Sequence, residues 1–597
     1  MKKILLALII CIVGGIVCFA IDRIPTDVET ATNEYSGEIE REYISPVKIV
    51  WTQNEQLIKN IDYLLREGNG QADLTNSHIC VMKSTDKEHP SVLLDFGREL
   101  HGGLQIVTGM PADHTPIRIR VRYGESVSEA MSEIGERGAT NDHAIRDFET
   151  TLPWLGLREW GNSGFRFVRI DLLDDNRDLH IKEIRAISMM RDIPYRGSFR
   201  CNDERLNKIW QTGAYTVHLN MQEYLWDGIK RDRLVWMGDL HPEITTVSNV
   251  FGYNEVVPKS FDLVKNTTPL PRWMNGMYTY SIWWVINQRD WYYFHGDEAY
   301  LREQRDYLVE LLDILLKQVD ENGFEVSGGG FLDWPSNANR PAMRAGTQAL
   351  MMWGLKSGAE LCECLGESEM AARCNERYAK MVEAAPAVVE QYFKEAQHPT
   401  APGSKQGAAL MALAGIIDAK EANDKVLTVE GARGFSTFYG YYMLQAMAKA
   451  GDYEGAMQVI SDFWGAMLDM GATSFWEDFH TDWLPNAAPI DAIVPEGKKD
   501  IHGDFGAYCY VGFRHSLSHG WASGPTSWLM QHALGVEVVE PGCKVVKIVP
   551  HLGKLEWVEG SFPTPYGDIQ ISHKKDAAGN IKSTIKAPKG VKVIREK

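Results

Sequence analysis

The hydrophobic period of this chain changes twice, and those two changes restrict the fold more than any other feature. Up to about residue 195, apolar residues fall in short, often alternating runs at 91–95, 105–109, 117–123 and 165–173, punctuated by Gly, Pro and Asp. A period of two buries one face of a strand, so residues 21–195 predict a β-sandwich. From about Cys201 the period lengthens. Leu308, Leu311, Leu312, Leu315, Leu316 and Val319 recur at the spacing of an amphipathic helix. Asp297 suits the N-cap of that helix and Asn322-Gly323 its stop. Residues 347–364, 368–395, 435–450 and 452–470 repeat the pattern, so 196–535 reads as helical hairpins stacked in a ring or bundle. Strand-like runs return at 545–549, 554–559, 568–573 and 581–587, with a hairpin turn at 576–580. Residues 536–597 therefore predict a small β-domain.

The N-terminus has the layout of a secretory signal: Lys2-Lys3, an apolar run from Ile4 to Val17, then Cys18-Phe19-Ala20 before a cleavage point. Val17 stands where a lipoprotein signal needs a small residue ahead of Cys18. The run is short for a spanning helix, so the expectation is export to the periplasm, cell surface or medium, with an uncleaved anchor as the alternative. Seven cysteines follow the signal, and an odd number scattered this widely makes no disulfide scaffold. Cys362-Glu363-Cys364 with Cys374 lies in a helical pattern without zinc spacing and reads as small buried side chains. The charge is acidic, 62 basic against 80 acidic residues, and such a field repels phosphate backbones; no nucleic-acid partner is expected. No glycine pattern for a nucleotide follows a strand, and no cofactor is expected. The acidic loop 478–482 has the composition for calcium, but nothing in it specifies the ion.

The chemistry concentrates in three stretches. The first runs from Asp227 to Glu243 through Arg231, Asp232, Arg233, Trp236 and Asp239, with Leu234 and Val235 between the charges. It follows a helix expected over 206–225. A loop both charged and apolar is partly buried, and carboxylates buried side by side have split pKa values, as acid/base catalysis requires. The second, Thr473-Ser474-Phe475-Trp476-Glu477, closes the helix 452–470. The third holds His515 and His519, four residues apart, which would face together on a helix. Asp95 to Glu99 with Gly102-Gly103 reads as a strand end and turn. Arg118, Arg120 and Arg122 read as one face of a strand, and Lys498 to Asp500 as a surface turn.

Taken in order, these stretches resemble the bacterial α-L-rhamnosidases of glycoside hydrolase family 78. The signature is an Asp, an acid five residues on, Arg-Leu-x-Trp, and then Gly-Asp. Here these are Asp227, Asp232, Arg233-Leu234-Val235-Trp236 and Gly238-Asp239. Thr473 to Glu477 is similar to the family's Thr-x-x-Trp-Glu, and His515 to His519 to its His-Ser-x-x-His. Tyr280 to Trp284, Leu332-Asp333-Trp334 and Thr564 to Ile569 resemble further family segments. The resemblance implies an (α/α)6 barrel flanked by an N-terminal β-sandwich and a small C-terminal β-domain. It also implies an inverting, exo-acting hydrolase for terminal α-L-rhamnose or a related deoxy-sugar, acting on an oligo- or polysaccharide. It assigns Asp232 as general acid and Glu477 as general base, and places Asp227, Arg231, Trp236, Asp239, Asp333, Trp334, Trp476 and His519 around the sugar. The family's acid is normally Glu, one methylene longer than Asp232. Its Cys-Pro-Gln after the first Asp is Gly228-Ile229-Lys230 here.

Overall fold

The computed structural model describes residues 35–328, 330–395 and 397–595; the expected signal at 1–20 lies outside them. No helix among them is long and apolar enough to cross a membrane. Nine strands of the N-terminal part hydrogen-bond as one sheet. Its axis is the long strand Ser91–Thr108. The first half of that strand pairs with Lys48–Gln53, the second half with Asp178–Arg191, and Gly156–Leu172 runs along both. The turn expected at 95–103 is instead a bulge inside this strand, with the register shifting between Asp95 and Leu100. Asp95 turns inward to Arg166 at 2.8 Å, which is why its charge does not end the strand. Alternation sets the faces. Val92, Leu94, Leu104 and Ile106 enter the main core with Ile119, Val121, Val168 and Ile170. Leu93 and Phe167 point the other way and are covered by the helix Val127–Met131. Arg118, Arg120 and Arg122 share one face, as expected, and Arg122 is buried against Asp171.

Among the described residues twelve α-helices follow, and six of them close an inner ring. Leu240–Val250, Tyr278–His295, Arg340–Leu365, Ser404–Ala414, Gly440–Lys449 and Gly524–Trp528 each contact the next, and the last returns to the first. Their partners, beginning with Glu204–Asn220 and ending with Tyr453–Asp469, pack outside. This is the (α/α)6 barrel. The inner helix Leu240–Val250 has no solvent face: every one of its residues is buried. The outer Ser368–Glu395 spans the residues expected for it. Asp297 caps Glu298–Leu316 through Tyr300 N–H, but that helix ends six residues before Asn322. Asp320 accepts from the N–H groups of Asn322 and Phe324, so Asn322-Gly323 builds the following turn. The helix expected over 206–225 stops at Asn220, because Met221 and Leu225 pair as a bridge instead.

At Gly407 in the inner ring, a Cβ would lie 2.8 Å from Ala342 O. Gly407→Ala gains up to about 1 kcal/mol of helix propensity. The clash is with backbone and cannot relax cheaply, so a net loss of about 1–3 kcal/mol is expected in denaturant unfolding.

After the ring the chain forms two small sheets. Trp557–Thr564, Gly567–Lys575 and Ile581–Lys586 are joined by Ser198–Cys201, a strand that precedes the first helix of the barrel. Val536–Val538, Val545–Ile548 and Lys592–Arg595 make the other. Cys362 and Cys374 are buried in helices and Cys364 is exposed; none is bonded.

Candidate active site

Consecutive hairpins enter the inner ring from the same end, so the loops that precede inner helices cluster there. The three chemistry-bearing stretches and the segment at Asp333 are all such loops. The positive ends of the inner helix dipoles point at the same place, which suits carboxylates and hydroxyl oxygens.

Asp227 organises the first loop. Its Oδ2 accepts from Asp232 N–H at 3.0 Å and its Oδ1 from Leu234 N–H at 2.9 Å, so the chain wraps around one carboxylate that is 2% exposed. Asp239 ends the loop and accepts from Tyr280 O–H at 2.6 Å. Gly238 permits that bond: a Cβ there would lie 2.2 Å from the Tyr280 ring. The second and third stretches are laced to the first and to each other. Gly228 pairs with His519, Gly520 N–H donates to Asp227 O, and Glu477 N–H donates to Ser516 O. Ser516 N–H in turn donates to Glu477 Oε2 at 3.0 Å.

The result is a convergence on one imidazole nitrogen. His519 Nε2 lies 3.6 Å from Asp227 Oδ2, 3.7 Å from Glu477 Oε1 and 4.0 Å from Asp239 Oδ2. Burial, then the nearby Arg231, drives the His519 pKa well below its usual value, so the ring is neutral. Asp232 stands at the margin, its side chain 21% exposed, with Arg231 at 3.0 Å. Asp333 is held by Ser436 Oγ at 2.6 Å and Gln406 Nε2 at 3.1 Å. Trp334 is half-buried and stacks on Tyr508 at 5.9 Å, and Trp236 is half-buried beside Tyr280. Trp476 is buried against Phe479. His515 does not face His519. The segment is not helical there, and His515 Nε2 accepts from Asp478 N–H at 2.8 Å.

Burial dominates the electrostatics. It pushes Glu477 up to about 8, opposed by Arg231. It pushes Asp227 to about 7, helped by Asp232, and Asp333 to about 6. Asp239 rises well above the carboxylate range through burial and Asp227. Each of these acids keeps its proton to higher pH in the folded chain than when unfolded. Their contribution to stability is complete below about pH 4 and is lost as pH rises through 6 to 8. The melting temperature should fall across that window, and Asp239→Asn should make the fall shallower. Thermal melts at stepped pH check this.

Beneath the loops lies a support that local sequence did not reveal. The buried ammonium of Lys230 is 2.9 Å from Glu125 and 3.1 Å from Glu129, both from the β-domain, and it donates to the carbonyls of Phe513 and His515. Glu125 also accepts from Ser516 Oγ and Leu517 N–H. One pair of acids thus holds the first and third stretches together. Glu125, Glu129 and His502 are close enough together to hold a metal ion, but the Lys230 ammonium meets both carboxylates. The loop 478–482 does not gather its acids, since Asp482 pairs with Arg433. Lys498 to Asp500 is not a simple surface turn: Lys499–Asp500 pairs with Ala487–Ala488, and Asp500 is buried.

Residues 194–532 match the family model of the bacterial alpha-L-rhamnosidase 6 hairpin glycosidase domain, and 535–594 that of the bacterial alpha-L-rhamnosidase C-terminal domain. An alpha-L-rhamnosidase of Alteromonas sp. (strain LOR) is 23% identical over 526 residues, which are 81% of this chain and 53% of that protein. The chain spans about half the length of the curated relatives it matches. The fold is shared with the GH78 rhamnosidase of Bacillus sp. GL1, at TM-score 0.72 and 22% identity over 90% of this chain and 55% of that one. It is also shared with a rhamnosidase from Klebsiella oxytoca with rhamnose bound, at TM-score 0.64 and 18% identity, covering 83% of this chain and 96% of that one.

Proposed function

Because the chain belongs to the bacterial α-L-rhamnosidase six-hairpin glycosidase family, we propose that it is an exo-acting, inverting glycoside hydrolase that releases terminal α-L-rhamnose, or a closely related deoxy-sugar, from a glycan. One observation carries the reading: Asp227, Asp239 and Glu477 meet around the neutral His519 at the entrance of the inner ring, with Asp232 at its margin. A sugar has several hydroxyl donors, and buried carboxylates without cations are the acceptors that satisfy them. Asp227 and Asp239 take this part.

A glycosidic oxygen leaves poorly unless protonated. Asp232, the most exposed of these acids, gives it a proton on the side where the leaving group must exit. Glu477, enclosed behind the sugar, takes a proton from the water that attacks the opposite face; it does so in its ionised form, which burial delays to about pH 8 and Arg231 favours. Such a pair stands roughly 6.5–9.5 Å apart in inverting enzymes, to make room for that water. Trp236 and Trp334 are half-buried at the rim and offer faces to the ring. The segment 1–20 exports the chain to its glycan.

Proton NMR of rhamnoside hydrolysis tests the reading. Rhamnose should appear first as the anomer opposite to that in the substrate. The same anomer appearing first would refute inversion, and an unsaturated, ultraviolet-absorbing product would point to a lyase.

A further inference from the structure

The N-terminal β-domain reaches the catalytic acid at one side chain. His143 Nε2 lies 3.2 Å from Asp232 Oδ1, and the two side chains are 27% and 21% exposed. His143 also lines a cavity of about 440 Å³ whose wall includes Phe148, Trp160, Asn162 and Arg233, the residue after Asp232. Most of that wall comes from the β-domain.

Two observations give His143 a task. First, both side chains on Asp232 address the same oxygen: Arg231 at 3.0 Å and His143 at 3.2 Å are on Oδ1, and among the described residues nothing bonds to Oδ2. Oδ2 is therefore the oxygen available to a substrate. Second, the two side chains differ in chemistry. A guanidinium does not give up its proton in a protein, whereas an imidazole exchanges one near neutral pH. Of the groups on Asp232, only His143 can restore a proton to it. The surroundings of His143 leave this open. The other charged group on its ring is Asp142, at 3.7 Å, which is itself paired with Arg514 at 3.1 Å. Arg233, in the same wall, is bonded to the carbonyl and side-chain oxygens of Asn162.

We propose that His143 is a further catalytic residue, which reloads Asp232 with the proton it gives to the leaving oxygen, and that the cavity beside it seats the leaving sugar ring. This rests on Asp232 being the proton donor. The step balances. The Asp232 O–H bond breaks as the C1–O electron pair moves to the departing oxygen, which takes the proton. Water adds to C1 and its proton goes to Glu477, which later loses it to solvent. The His143 imidazolium then protonates Asp232 at Oδ1, a half-turn of the carboxyl about its Cβ–Cγ bond brings that O–H to the substrate side, and the imidazole recovers a proton from solvent. The occupant is a pyranose ring. Half-buried Phe148 and Trp160 offer apolar faces, and Asn162 and the imidazole offer polar groups to ring hydroxyls.

Leaving-group dependence tests this. Steady-state kinetics would compare p-nitrophenyl α-L-rhamnoside, whose leaving group needs little protonation, with an unactivated rhamnose-terminated disaccharide. The variants are His143→Gln, His143→Ala, Asp232→Asn and Trp160→Ala. Both His143 variants should lose about 10²-fold in kcat on the disaccharide, and at least about ten-fold less on the nitrophenyl substrate. Glutamine keeps the size and an N–H donor but cannot relay a proton. If His143→Gln turns the disaccharide over like the parent, or if both substrates lose equally, the residue only positions Asp232 and the proposal fails. Asp232→Asn separates the two ideas: a leaving-group-dependent loss there keeps Asp232 as donor and places any failure on His143, whereas an equal loss removes both. A parent protein that turns over neither substrate also removes both. Trp160→Ala should raise KM for the disaccharide alone; an unchanged KM would refute the seat.

Discussion

Glu477→Gln is expected to lower kcat on an α-L-rhamnoside by about 10²–10⁴-fold, the contribution of a positioned proton-transfer group, with KM changed little. The amide is the same size and keeps an oxygen for Ser516 N–H, which now donates to Glu477 Oε2 at 3.0 Å. The lacing of the third stretch against the second therefore survives, and only the ability to accept a proton is lost. Circular dichroism and melting behaviour close to the parent would accompany the loss. Full activity in this variant would falsify the role given to Glu477.

Lys230→Met is expected to act on stability instead, by about 3–5 kcal/mol. Removing the ammonium leaves Glu125 and Glu129 facing each other in a dry site, with side chains 0% and 1% exposed. An unpaired buried charge is what makes breaking such a cluster costly. Burial first, and then Glu129, already push the Glu125 pKa upward while Lys230 holds it down. Without Lys230 the two acids must take up protons. The deficit in melting temperature should therefore be larger at pH 8 than at pH 5, where protonation relieves it. Adding Glu125→Gln and Glu129→Gln to Lys230→Met should recover part of the loss. A deficit independent of pH would mean that the methylene packing of Lys230, not its charge, matters there.

The parts legible in the sequence were those set by local patterns. The helix Ser368–Glu395, the cap at Asp297, and the strands of the C-terminal domain follow from period and capping chemistry within one segment. The errors arose where a distant partner overrode a local signal. Asp95 and Gly102-Gly103 look like turn residues, yet Arg166 neutralises the acid and neighbouring strands crowd the glycines, so the strand continues. His515 and His519 have helical spacing, but backbone bonds to other loops keep their segment extended and send the rings to different partners.

The candidate site divides in the same way. Sequence by itself determined the order of β, helical and β regions, because hydrophobic period is a property of short windows. It also determined which loops carry Asp227, Asp232, Asp239, Asp333, Glu477 and His519, because the motifs are local. It could not determine which of these share a space. Only the closing of six inner helices into a ring brings their entry loops to one end, and only that closure removes Asp227, Asp239 and Glu477 from water and raises their pKa values. The same holds for Glu125, which bonds Ser516 from 391 residues away, and for His143 against Asp232. Neither sits in a motif. Each acquires its task from the surface of the β-domain that the barrel happens to meet, and that depends on the packing of two domains rather than on any stretch of the chain.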